Sequence, residues 1–142
     1  MNFVISVEVV CIAIAALFWG AYPLVARASG IGGAMGALIL TLSGLVPISI
    51  AVIWQGGITK PATADLGKLI IAGMMMGIGL VAFNMVANSK RIDASISIPV
   101  IDTAMLIVTV IGAALFFSES MTAQKVIGIA LLLAGIVVLR PA

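Results

Sequence analysis

Five stretches of this chain are each long and apolar enough to cross a lipid bilayer, and the positive charges between them are split almost evenly between the two sides they define. Crossing a hydrocarbon core of ~30 Å takes about 20 residues at ~1.5 Å rise each. Laid along the chain, that ruler places spans at residues 3–26, 33–54, 67–88, 94–117 and 123–139. The composition agrees: 63% of residues are hydrophobic, 8% are charged and none is histidine. The mean hydropathy of +1.36 exceeds what a soluble core of this length needs. The expected fold is an all-α integral membrane protein of five transmembrane helices, forming a single domain over residues 1–142.

The linkers are short and carry helix-breaking chemistry: Ser29 and Gly30, then Gln55, Gly56 and Gly57 through Lys60 and Pro61, then Ser89 to Asp93 and Ser118 to Thr122. They leave no room for a soluble domain. The first segment lacks a basic amino-terminal region and Glu8 interrupts it, so it is read as a retained span and not as a secretory signal. Cys11 lies within that span, where it can form no intrachain disulfide and is read as a small packing residue.

Lysine and arginine near span ends set orientation. One side carries Lys60, Lys68 and Lys125; the other carries Arg27, Lys90, Arg91 and Arg140. Three against four is a weak bias. It is compatible with a fixed topology in which the second group is cytoplasmic, and equally with insertion in both directions.

Within the spans, Gly32 and Gly36, Gly73 and Gly77, and Ala130 and Ala134 are small residues four apart, the spacing that lets helix backbones approach in lipid. Met74, Met75 and Met76 form a flexible apolar cluster read as lipid-facing or core. Pro23, Pro47 and Pro99 each fall inside a span, remove a backbone hydrogen bond and bend the helix. Pro47 should free the Ser43 carbonyl and Pro99 that of Ser95, which is tolerated at membrane depth where neighbours or a water-filled cavity satisfy the freed group. The three prolines are therefore candidate hinges.

Ionisable groups in the hydrocarbon cost roughly 2.5–3.5 kcal/mol each near its centre on insertion scales. Asp102 sits about 12 Å into the fourth span by helical rise. Ser95, Asp102 and Thr109 recur every seven residues and share a face. Gly77, Val81, Asn84 and Asn88 form a similar line on the third span, and Glu8, Ala15, Trp19 and Tyr22 one on the first. Trp19, Tyr22, Asn84, Asn88, Asp102 and Thr109 are the candidate cavity-lining residues. Asp102 and Glu8 are the candidates for coupling proton or cation exchange to a substrate. For Asp102 the plainer alternative is a helix–helix hydrogen bond to Asn84 or Asn88, and for Glu8 it is a side chain that snorkels to the headgroups.

Asp93 is placed to cap the fourth helix and Thr122 the fifth, with Glu119 just before it, while Lys90 and Arg91 read as interfacial anchors. No nucleophile with its base, no metal cluster of histidines and cysteines and no phosphate-cradling glycine loop can be traced. An enzyme, a cofactor, a bound metal and a nucleic-acid partner are therefore not expected.

Several runs together resemble one EamA-type repeat of the drug/metabolite transporter superfamily. They are Phe18-Trp19-Gly20-Ala21-Tyr22-Pro23, then Lys90-Arg91-Ile92-Asp93-Ala94-Ser95 with Pro99, and Phe117-Ser118-Glu119-Ser120-Met121-Thr122 followed by Val126 to Gly135. The resemblance covers nearly the whole chain and is strongest in the last third, at Glu119, Thr122, Gly128 and Gly135. It implies a half-size member, because typical EamA-type transporters carry two such five-span repeats, inverted relative to each other, in one chain. Two identical chains inserted in opposite directions would rebuild that arrangement. Small multidrug resistance proteins of the same superfamily are similarly antiparallel dimers with a membrane-embedded glutamate in the first span. Glu8 stands nearer the chain start than that glutamate, so the architecture carries over more fully than the coupling.

The sequence thus predicts a multi-pass transporter of a bacterial inner membrane or archaeal plasma membrane. It would be an antiparallel, dual-topology homodimer in the lipid bilayer that moves a small organic metabolite or amphipathic compound by alternating access. The alternatives are a non-transporting five-span subunit of fixed topology packed against another membrane protein, or one half of a heterodimeric transporter.

Overall fold

The computed structural model describes residues 6–58 and 61–138, and among them the chain forms five helices and no strand. They are α1 Val7–Ala28, α2 Gly33–Trp54, α3 Thr63–Ala87, α4 Ala94–Phe117 and α5 Ala123–Val138. The first four run 22, 22, 25 and 24 residues, about 33–38 Å at ~1.5 Å per residue, and are apolar enough to cross a membrane. The described part of α5 is 16 residues, about 24 Å, which is short of that length. The residue that was expected to end the fifth span, Leu139, lies outside the described residues, as do Phe3, Lys60 and Arg140.

Helix ends differ from the expected spans for local reasons. The third helix begins at Thr63, four residues before the expected 67, just past Pro61. Asp65 sits in its first turn, where the helix dipole favours an acid, and pairs with Lys68 at 3.1 Å one turn on. The first helix runs two residues past the expected 26, which places Arg27 in its last turn. Asp93 does take the N-cap position of α4 with extended backbone, but its side chain makes no capping hydrogen bond. Thr122 does cap α5: its Oγ1 accepts from the Lys125 backbone N–H at 3.3 Å.

The chain divides into two compact units, Met1–Asn88 and Ser89–Ala142. In the first, α2 packs along α3, and α1 meets α3 over a short stretch. Burial there is confined to one end, where Pro23, Gly36, Ala37, Asn84 and Ala87 are buried. Every residue of α1 from Val7 to Ala21 is exposed. Among the hydroxyls of α2, Thr41 donates to the Ala37 carbonyl and Ser43 to the Ile39 carbonyl, both at 2.8 Å, so a lipid-facing surface leaves these two groups satisfied. In the second unit, α4 packs against α5.

Candidate functional site

The packed end of the first unit is built on two close approaches of α2 to α3. A methyl group on Gly32 would come within 2.8 Å of Asn88 Cβ. One on Gly36 would come within 2.5 Å of the Ile31 carbonyl oxygen and 2.8 Å of Asn84 Oδ1. Only hydrogen fits there, which is why this small-residue pair brings the helices together. The other glycine pair behaves differently, since Gly73 and Gly77 have nothing within 4 Å of the corresponding position.

Against this notch the amide of Asn88 donates to the Asn84 backbone oxygen at 3.0 Å and to Asn84 Oδ1 at 2.9 Å. Asn84 is 1% exposed. The Asn88 Oδ1 atom is itself buried and accepts no hydrogen bond, leaving one acceptor of the pair open. The Arg27 guanidinium donates to the Ala87 carbonyl at 2.9 Å across 60 residues of chain. That bond places a positive charge on the carboxyl end of α3, where orphan carbonyls and the helix dipole both favour it. Tyr22 stacks at a tilt on Phe83, with ring centroids 5.9 Å apart. Between α1 and α2 lies a groove of about 540 Å³, walled by Phe18, Ala21, Tyr22, Ile31 and Ile39 and edged by Ser29.

The expected site residues therefore fall into groups. Tyr22, Asn84 and Asn88 come to the packed end of the first unit, with Asn84 and Asn88 bonded to each other. Trp19 stays 71% exposed on α1, and Glu8 is exposed near the start of that helix. Of the candidate hinges, Pro23 is buried, Pro47 is exposed and Pro99 is half-buried.

In the second unit, Asp102 and Thr109 are exposed on α4. Thr109 lines a groove of about 400 Å³ between α4 and α5, together with Glu119 and Lys125. Asp102 is not one of the residues that line it, although the two share a helical face. Ser97 is buried on the first turn of α4, and its Oγ has no hydrogen-bond partner.

A model of the EamA-like transporter family matches residues 6–140. The chain belongs to the EamA-like transporter family. No curated protein matches the chain, and no solved structure does. Membership makes it a multi-pass membrane protein of transporter type, in keeping with its four membrane-length apolar helices.

Two features of this EamA-like chain are absent from a reading of its residues alone. Arg27 reads as an orientation charge, and only the fold reveals it as the cap of a helix 60 positions away. Glu119 and Lys125 form an ion pair at 3.4 Å across the α4–α5 turn. The Thr122 cap, which puts Lys125 on the first turn of α5, is the one sequence signal that points toward it.

Proposed function

We propose that this EamA-like chain is half of a transporter that moves a small organic metabolite or amphipathic compound by alternating access, working as an antiparallel homodimer. The observation that carries this reading is the exposure of Glu8 and Asp102 on helices of membrane-spanning length. Left against lipid, Asp102, eight residues into α4, would cost roughly 2.5–3.5 kcal/mol near the bilayer centre, whereas Glu8, in the first turn of α1, stands close to the headgroups and costs less. A second copy that covers them turns the cost into a polar path. The near balance of loop charges supports insertion in both directions, and a second unit of the kind that spans residues 6–140, supplied by another copy, would complete a five-plus-five assembly with α5 as the fifth span.

In this reading Trp19 and Tyr22 on α1 supply aromatic surface for an amphipathic substrate, and Asn88 lines the cavity beside them. Asn84 holds Asn88 in place. Asp102, with Glu8, exchanges a proton or cation against the substrate, and bending at Pro23, Pro47 and Pro99 accompanies the change of access. The architecture is tested by sided labelling with an impermeant thiol reagent in intact cells. The probe is Ile58→Cys in a Cys11→Ser background, since Ile58 is 92% exposed in the second loop. Comparable labelling from both faces is expected. Labelling from one face only overturns the homodimer of inverted copies and directs attention to an oppositely oriented partner.

A further inference from the structure

The groove between α4 and α5 has a chemistry that the transport reading does not use. Its walls are Val110, Ala113, Met121, Gly128, Ile129 and Leu132, none of which presents a polar side chain. Thr109 lines it eight residues before the last residue of α4, about 12 Å along the helix from the α4–α5 turn. At the turn stand the Glu119 carboxylate and the Lys125 ammonium, 3.4 Å apart, with side chains 55% and 43% exposed.

The backbone holds that pair in place from both sides. Ser118 adopts a left-handed conformation at φ 55° and ψ 30°, which for a residue with a Cβ costs on the order of 1 kcal/mol. The Glu119 N–H reaches back to the Ala113 carbonyl at 3.4 Å, and Thr122 caps α5 immediately afterwards. Strain of this kind persists where the surroundings over-determine it, and here it sets an acid over the first turn of the following helix. An apolar trough that ends at a pair of opposite, half-exposed charges matches an amphiphile with one acyl chain in the trough and a zwitterionic head at its mouth.

We propose that this groove binds one membrane phospholipid with a zwitterionic headgroup bearing a primary ammonium, of the phosphatidylethanolamine type. Its ammonium donates to Glu119 and its phosphate accepts from Lys125, while one acyl chain lies along Met121, Ile129 and Leu132. A choline head has the same net charge but no N–H to donate, and a glycerol head carries no cation for Glu119. Headgroup discrimination therefore rests on Glu119, and occupancy on the apolar trough.

The test uses the full chain purified into detergent with an equal mixture of phosphatidylethanolamine, phosphatidylcholine and phosphatidylglycerol, with retained lipid counted by native mass spectrometry. Wild-type chain is expected to retain the ethanolamine lipid, with stepwise loss as its nitrogen is methylated. Glu119→Gln should reduce its preference over the choline lipid by about tenfold, the order expected for a hydrogen bond between charged groups in a partly exposed setting. Gly128→Leu should abolish retention of all three, because nothing lies within 4 Å of a Cβ at that position and the larger side chain can occupy the trough. Equal retention of the three headgroups by the wild type overturns the proposal, as does an unchanged preference in Glu119→Gln. Undiminished retention by a folded Gly128→Leu chain overturns the seat assigned to the acyl chain. If Gly128→Leu does not fold, the methylation series and Glu119→Gln decide the matter.

Discussion

Replacing Gly36 with alanine puts a methyl group 2.5 Å from the Ile31 carbonyl oxygen and 2.8 Å from Asn84 Oδ1. Neither neighbour is the free end of a flexible side chain. The first is backbone in the α1–α2 turn, and the second belongs to a buried amide that accepts from Asn88 at 2.9 Å. Overpacking of this kind costs about 1–3 kcal/mol, and two rigid neighbours place it in the upper half of that range. Alanine returns about 1 kcal/mol through helix propensity, which leaves a net loss of about 1–2 kcal/mol. At Gly44 and Gly73, where nothing lies within 4 Å, only the propensity gain of about 0.5–1 kcal/mol applies. The gap between Gly36→Ala and these two substitutions should then be about 2–3 kcal/mol, roughly 30- to 150-fold in the unfolding constant. Reversible unfolding by dodecyl sulfate in mixed micelles, followed by far-ultraviolet circular dichroism, measures it. If Gly36→Ala lies within about 0.5 kcal/mol of both other variants, the α2–α3 notch does not hold the first unit together, and the argument fails.

Two further outcomes are accessible to the same unfolding assay. Arg27→Gln removes a charged hydrogen bond to the Ala87 carbonyl and should lose about 1.5–3 kcal/mol, whereas Arg27→Lys keeps the loop charge and should recover only part of that; equal stability of Arg27→Gln and wild type would dismiss the cap. Thr122→Ala deletes a formed cap on α5 and should cost about 1 kcal/mol, while Asp93→Ala loses only the dipole contribution of an acid that makes no capping bond, about 0.5 kcal/mol, and the reverse order would contradict the observed caps.

Apolar runs and breaker residues carry most of the fold's outline on their own. Four of the five helices have membrane length, and each falls near its expected place, because segment length against the bilayer and the punctuation by Gly56, Gly57, Pro61 and the Ser89 to Asp93 turn are local properties. Boundaries shifted where a side chain answered something outside the hydropathy pattern, as Asp65 does with the dipole and with Lys68. Family membership was legible for a related reason: the order of small, aromatic and capping residues along the chain is itself a local property, readable even where each residue alone says little.

What the chain could not disclose is which of several equivalent-looking residues meet something. Gly32 with Gly36 and Gly73 with Gly77 have the same spacing, yet only the first pair meets another helix, and nothing lies within 4 Å of a Cβ at the second. Thr109 and Asp102 share a helical face, but only Thr109 reaches the groove with α5. Arg27 reads as a topological charge and turns out to close the end of another helix. Hydropathy and spacing fix which face of a helix is special, since those depend on rise and turn. The identity of the atom across from that face depends on how helices far apart in sequence settle against one another, and that is a property of packing alone.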